Sequence, residues 1–440
     1  MKPVNFYLLT DTHYFATTLS AEGKAYEDYM KRELYFLKES NAIVNSVFAD
    51  ILKDDKIDTI IIPGDLSKNG ELASHKEFID ELYKLKNAGK KIFVITAGHD
   101  FSEWSNSYKG NEIIPVEGTP FTDLYNMYFD FGFKDALSVE MRTNSYVAEI
   151  ADSVRMLALN CDSPNKQKGV IDEKTLNWAQ EQIDKAKEDN AYMFAICHYP
   201  ILPPVEIFDF IKDTRVENWR EIATFLADNG IELALTGHMH IQSVNEFITE
   251  KGNRLIDICT STLVGSPAKY RKVEIDENAT LKVESLDVND FGYDLQGLSV
   301  REYFDKRCET GIRGKIEHAL NGDKFIKKLL RKIVLSIKVS TISRLLFIKV
   351  DKSLKKRKLI DVAVEVGADI FSGDQPHTEG TPVYEAMDKV FKRLKFIINK
   401  LNKKLSKNGN EVDLHKMVLN TIGNNKGYSN HDFEMKLNSK

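Results

Sequence analysis

The sequence predicts an α/β fold over residues 1–296 followed by an all-helical domain over 297–440. Three observations carry that reading. Short, continuous apolar runs recur through the first 280 residues, and helical patterns separate several of them. After about residue 297 the strand signals stop and long Lys-rich helical patterns take over. Continuous apolar strands alternating with helices argue for sheets covered by helices rather than open to water.

The apolar runs are 4–10, 59–62, 92–96, 155–160, 192–197, 232–236 and 255–259. Between them, residues 27–53, 71–88 and 172–187 place apolar side chains three and four positions apart, the spacing of one helix face. Residues 267–287 alternate and predict a closing hairpin. The later helical patterns are 298–308, 313–350, 353–367 and 381–405, interrupted by a loop at 371–377 in which Gly373 and Pro376 are breakers. The tail from about 407, rich in Asn, Lys and Gly, is expected to be partly disordered.

At 440 residues, 42% hydrophobic and 29% charged, the chain can bury a large core and divide into two domains. A formal net charge of −5 names no partner and gives no sign of a nucleic-acid polymer as ligand. The distribution is more telling, because residues 301–360 hold 18 Lys+Arg against 6 Asp+Glu. Within it, 324–358 interleaves Lys327, Lys328, Lys355 and Lys356 with Phe325, Leu329, Leu330 and Phe347. Such a stretch suits peripheral contact with an anionic membrane, steering of an anionic substrate, or docking of an apolar stripe on the α/β domain. No run of 18 or more apolar residues exists, so no transmembrane segment is expected. No signal-peptide pattern opens the chain. Cys161, Cys197, Cys259 and Cys308 form no CxxC pair and read as reduced core thiols, which predicts a cytoplasmic location.

Five apolar runs lead directly into hard or imidazole ligands. These are Asp11 and His13, Gly64-Asp65, His99-Asp100, His198, and His238 with His240. In open α/β sheets the crevice at the carboxyl ends of the strands is where ligands bind, so five such ends can converge on one point. Carboxylate and imidazole ligands suit manganese, iron or zinc. Two such ions about 3.5–4 Å apart orient a phosphoryl group and neutralise charge during in-line displacement. One carboxylate must serve both ions, and Asp65, beside a Gly that permits close backbone approach, is the natural candidate.

This ordered set, ending in Gly237-His238-Met239-His240, resembles the five-block signature of calcineurin-like metallophosphoesterases. More narrowly, the chain resembles bacterial proteins described as cyclic-nucleotide phosphodiesterase-like. That likeness rests on Gly64-Asp65-Leu66-Ser67-Lys68-Asn69-Gly70-Glu71 with Ser74-His75, on Ser145-Tyr146, on His240-Ile241-Gln242 and on Thr260-Ser261-Thr262-Leu263. The resemblance implies a four-layer αββα sandwich and a dinuclear centre of manganese, iron or zinc. It implies Asp11, His13, Asp65 and His240 at the first metal, and Asp65, His198 and His238 at the second. His99 would stabilise phosphoryl oxygens or protonate the leaving oxygen, with Asp100 orienting it. The implied reaction is hydrolysis of a small phosphodiester, a cyclic nucleotide among the candidates, by a metal-bridging hydroxide. The alternatives are a phosphomonoesterase on nucleotides or phosphoproteins, and a non-catalytic binding protein.

One block departs from the family pattern. Where the family carries Gly-Asn-His-Asp or Gly-Asn-His-Glu, with the Asn a ligand of the second metal, this chain reads Ala97-Gly98-His99-Asp100. The absence of that side chain predicts a weakened second site. Asn69 and His75, just past Asp65, are expected either to line the substrate pocket or to cap the helix beginning near Glu71. The loop with Asp374 and His377 is either a lid over the metals or an interhelical connection.

Overall fold

The computed structural model describes residues 2–162, 164, 168–320, 333–406 and 411–438. Its strands are β1 (Val4–Leu8), β2 (Thr59–Pro63), β3 (Lys91–Ile95), β4 (Trp104–Lys109), β5 (Glu112–Glu117), β6 (Ala136–Glu140), β7 (Ser145–Ala151) and β8 (Val154–Leu159). They continue with β9 (Tyr192–Cys197), β10 (Leu233–Thr236), β11 (Ser243–Ile248), β12 (Arg254–Cys259), β13 (Lys269–Ile275), β14 (Thr280–Asp287) and β15 (Phe433–Lys436). One six-stranded sheet runs β15-β14-β13-β1-β2-β3 and one seven-stranded sheet runs β11-β12-β10-β9-β8-β7-β6, with β4-β5 a separate hairpin. In the first sheet β1, β2 and β3 are parallel. In the second, β8, β9, β10 and β12 are parallel. These are the strands with continuous apolar sequence, and β2 is buried at all five positions.

Burial on both faces explains those runs. The inner faces of the two sheets meet, with Phe6 stacked on Phe194 at 5.5 Å and the Tyr146 hydroxyl donating across to Val94 O at 2.8 Å. Helices Ser40–Leu52 and Leu72–Asn87 close the outer face of the first sheet through Ile43, Val47, Phe78 and Leu82. Helices Glu173–Glu188 and Trp219–Asp228 close the second through Leu176, Ile183, Ile222 and Leu226. The result is the expected helix–sheet–sheet–helix order. Asp172 starts its helix by accepting from Thr175 N, as an N-cap should.

The expected helix over 27–53 is broken into Lys24–Met30 and Ser40–Leu52. Tertiary pairing overrides the periodicity there, because Phe36 N donates to Val264 O at 2.8 Å and Tyr35 bridges Gly265. The four cysteines are free and buried, and Cys161 and Cys197 approach to 3.6 Å between sulfurs.

Beyond residue 297 the region is mainly helical. Its first helix, Val300–Ala319, opens with a reciprocal cap between Ser299 and Glu302. Part of the basic stretch, 324–332, lies outside the described residues. In the described remainder helical residues 333–336 stop before Ile337, and two short helices follow, Val339–Leu345 and Lys352–Lys355, instead of the continuous helix expected over 313–350. Its charge is partly spent within the fold, since Arg357 pairs with Glu365. Among the described residues no helix is long and apolar enough to cross a membrane.

The region is not wholly helical, and the tail is ordered over 411–438. After helix Leu414–Ile422 the chain returns to the first sheet, where β15 pairs antiparallel with β14. Phe433 and Leu437 join the main core, so the chain's end belongs structurally to the α/β unit. Arg271 holds that return. Its fully buried guanidinium donates to Thr260 Oγ1, Cys259 O, Asn430 O and His431 O. Removing it strands several buried acceptors, each worth about 1–3 kcal/mol. Arg271→Met is therefore expected to cost about 3 kcal/mol or more of stability by urea titration. Limited proteolysis should then cut near residue 430 first.

Candidate metal centre

Strand pairing that continues past the strand ends builds the site. Beyond β1 and β2, Asp11 N donates to Gly64 O (3.2 Å), His13 N to Asp65 O (3.0 Å) and Tyr14 N to Leu66 O (3.0 Å). Beyond β9 and β10, Gly237 N donates to His198 O at 2.8 Å. Thr262, just past β12, donates from Oγ1 to Asp11 O at 2.7 Å and links the two sheets at the site. The carboxyl ends of parallel strands from both sheets thus open on one cleft.

Two groups of side chains meet there. Asp11, His13 and His240 have donor atoms all within 4.8 Å of one another, and so do Asp65, His198 and His238. In the first group His13 Nε2 faces His240 Nε2 at 3.0 Å, and Asp11 Oδ1 lies 3.2 Å from His240 Nε2. In the second, Asp65 Oδ2 lies 3.1 Å from His198 Nε2. The same Oδ2 lies 3.9 Å from His13 Nε2, so Asp65 stands between the groups.

The unused atoms are the ones a cation needs. Asp11 Oδ2 accepts from Thr10 Oγ1 (2.8 Å) and His238 N (3.0 Å), while its Oδ1 has no partner. His198 donates from Nδ1 to Pro63 O at 2.8 Å, which leaves Nε2 as the lone-pair nitrogen, and that atom too is orphaned. His238 donates from Nε2 to Asp213 O at 3.0 Å, which frees Nδ1. Buried polar atoms in folded proteins are normally paired. Orphaned oxygen and nitrogen atoms converging at these distances fit divalent ions, whose ligand histidines usually donate their second nitrogen to a backbone carbonyl.

The electrostatics divide the imidazoles: burial opposes the charge on His198, yet the Asp65 and Asp11 carboxylates hold it well above the usual imidazole range. Burial opposes the Asp11 and Asp65 carboxylates, yet the surrounding imidazoles more than offset it, holding Asp11 at about 2 and Asp65 well below the usual range. Burial pulls His13 down to about 3 and His238 to about 4, which keeps both rings neutral as metal ligands must be.

The backbone is strained at the same place. Asp11 (φ 52°), His13 (37°), Asp65 (51°), His238 (67°) and His240 (58°) all occupy the left-handed region, leaving His198 as the exception among the six. Aromatic faces back two of the rings: Tyr35 stacks on His13 at 4.6 Å and Tyr199 on His238 at 3.7 Å. A side chain at Gly237 would come within 2.5 Å of Asp11 Oδ2, so glycine is required for the approach of the two strand ends.

The remaining expected site residues fall differently. His99 stands beside His13, ring to ring at 5.3 Å, and donates from Nδ1 to Lys68 O at 2.8 Å, which leaves Nε2 available to a ligand. Asn69 lies against His99 Nδ1 at 2.6 Å, so it positions that ring rather than lining an open pocket. Asp100 does not orient His99. It is fully buried and accepts from Ser67 N (2.9 Å) and Ala97 N (2.8 Å), tying together the loops after β2 and β3. His75 neither lines the cleft nor caps the helix. It is fully buried, with Nδ1 2.6 Å from the Tyr128 hydroxyl and Nε2 2.9 Å from Asp100 O, and it braces Asp100 from behind. Asp374 and His377 are committed to His431 and Asp369, both at 3.0 Å, and their loop packs behind Gln242. A further group, Glu365, Asp369 and His377, is already engaged through Arg357 and the His377–Asp369 pair. Asp162, three residues past β8, was not singled out in the sequence. The signal was there, since it follows an apolar run as the other carboxylates do.

A two-sheet sandwich with paired His/carboxylate groups at its strand ends is the architecture of a metal-dependent hydrolase. The chain belongs to the calcineurin-like phosphoesterase family, whose model matches residues 4–242. Among curated proteins no significant match is found. Solved structures that resemble it include a purple acid phosphatase from yellow lupin (Lupinus luteus) seeds, at 12% identity and TM-score 0.44 over 67% of this chain and 53% of that one. The NAD nucleotidase of Haemophilus influenzae matches at 14% identity and TM-score 0.33 over 64% of this chain and 49% of that one. The anchor of the inner membrane complex of Plasmodium matches at 13% identity and TM-score 0.38 over 67% and 88%. The chain spans about half the length of the lupin and Haemophilus proteins.

The strain at His240 gives a test independent of turnover. In metal-free protein, His240→Gly should be more stable than His240→Ala by about 1 kcal/mol, because only glycine enters the left-handed region without cost. Urea midpoints in the presence of a chelator measure the difference. Equal midpoints would show that the backbone there is unstrained.

Proposed function

We propose that this chain is a metal-dependent phosphoesterase that hydrolyses a small phosphodiester, with a cyclic nucleotide as the favoured substrate class. The observation that carries the reading is Asp65 Oδ2 standing between two histidine–carboxylate groups, each with an orphaned donor atom. Asp11, His13, Asp65 and His240 would hold one divalent ion, and Asp65, His198 and His238 the other. When bound, the pair supplies Lewis acidity and a water acidic enough to attack phosphorus at neutral pH. Carboxylate and imidazole donors suit manganese, iron or zinc, and manganese is the first to try.

The chain's own residues do the rest. His99, fixed at Nδ1 by Lys68 O, presents Nε2 to a phosphoryl or leaving oxygen, stabilising the first or protonating the second. Asn69 holds that ring, Asp100 ties the loop carrying Asp65 to the loop after β3, and Asp65 Oδ1 accepts from His99 N at 3.2 Å. The preference for a diester rests on the motif likeness around Gly64–Glu71. Four free, buried thiols support a reducing compartment, the cytoplasm.

Asp65→Asn is expected to abolish hydrolysis and release metal, since one charge serves both ions. A variant keeping a tenth of native turnover would refute the shared-ligand role. His99→Ala should keep its metal while slowing turnover about 10²–10⁴-fold. Loss of metal from that variant would place His99 among the ligands. With added manganese, bis-p-nitrophenyl phosphate should be cleaved faster than p-nitrophenyl phosphate. The reverse order would identify a phosphomonoesterase, and silence on both with metal bound would identify a binding protein.

A further inference from the structure

Gly98 leaves the second metal one ligand short of the family pattern, and the structure shows what occupies the gap. A Cβ built on Gly98 would lie 3.0 Å from Asp162 Oδ2. The carboxylate oxygen therefore crowds the space that an asparagine side chain at 98 would enter. Asp162 is 1% exposed, and its Oδ2 has no hydrogen-bond partner. Its other oxygen is held, accepting from Gly169 N at 3.3 Å. Its own N donates to Asn160 Oδ1 at 2.9 Å, which fixes the turn after β8.

Strand register brings the turn that carries this carboxylate beside His198, while the carboxylate itself stands just outside the 4.8 Å group formed by Asp65, His198 and His238. Leu159 of β8 pairs with Cys197 of β9, one residue before His198. The Cys161 and Cys197 sulfurs are 3.6 Å apart, so the two chain segments remain side by side past the strand ends. Ala97, beside Gly98, and the His198 ring flank Gly64. A Cβ on Gly64 would meet both His198 Nδ1 (2.6 Å) and Ala97 Cβ (2.9 Å).

We propose that Asp162 is the fourth protein ligand of the second metal, replacing from β8 the side chain that Gly98 lacks. The inference rests on the two-metal reading above. It reverses the expectation of a weak second site. An asparagine supplies a neutral oxygen, whereas Asp162 supplies a charged one, so the second ion is held more tightly and the loaded centre carries one positive charge less. It also explains why residue 98 is glycine, since a side chain there would crowd the carboxylate. Lys168, whose Nζ lies 3.5 Å from the same Cβ position, is a nearby cation.

The test counts manganese per folded chain by plasma mass spectrometry after chelation and reloading, and follows the second binding step by calorimetry. Native protein should hold two ions. Asp162→Ala should weaken the second step about tenfold or more, leaving the first unchanged. Gly98→Asn/Asp162→Ala, which exchanges one oxygen donor for the other, should restore the second ion. Asp162→Ala that binds both ions as native protein does would overturn the assignment. So would a folded double variant that stays at one ion. Native protein that holds a single ion overturns the two-metal reading itself, and that outcome is distinct from the other two.

Discussion

The parallel pairing of β1 with β2, carried past the strand ends as far as Tyr14 and Leu66, sets the distance between Asp11 and Asp65 on which the site depends. Those bonds force the backbone into the left-handed region at Asp11, His13 and Asp65. Non-glycine residues pay about 1–2 kcal/mol each for that conformation. Desolvation adds to the cost, since both carboxylates are fully buried and Asp11 keeps an oxygen that the fold itself does not satisfy. A fold retains strain and buried charge together where a ligand settles both. Divalent cations are the ligands that the converging oxygen and nitrogen atoms fit.

The rest of the architecture serves to keep two half-sites in one place. The first sheet delivers Asp11, His13, Asp65 and His99, and the second delivers His198, His238 and His240. Packing between the sheets, with Phe6 on Phe194 and Tyr146 hydrogen-bonded to Val94, fixes their separation. Thr262 crosses from one to the other at the level of the ligands. Behind the first sheet, the buried stack of His75, Asp100 and Tyr128 holds the β2 and β3 loops. At its far edge Arg271 draws the chain's end back into the sheet, so the helical region is anchored at both its beginning and its end.

Much of this was legible in the sequence for a plain reason. Parallel strands covered on both faces must be apolar throughout, so β1, β2, β3, β8, β9, β10 and β12 announce themselves, and the polar residue after each run marks a strand end. Half-exposed strands such as β4 and β5 carry no such run. The helix expected over 27–53 failed because Phe36 and Tyr35 pair with Val264 and Gly265, more than 200 residues away, a contact no local pattern contains. Residue type identified Asp100 and His75 as polar groups near the site but not their direction. Both turn inward to satisfy backbone and hydroxyl groups. Asp162 followed the same strand-end rule as the candidate ligands, yet its meaning depends on its position relative to Gly98, which only the folded chain provides. Continuous periodicity likewise overstated the helix over 313–350, where the described residues form separate short helices.

The proposed hydrolysis requires two cation sites that share Asp65. Anomalous diffraction from crystals of the native chain grown with manganese measures this directly. It should show two peaks, one against Asp11, His13 and His240 and the other against His198 and His238, with Asp65 touching both. Strong manganese peaks elsewhere on the chain, with none among these side chains, would contradict it.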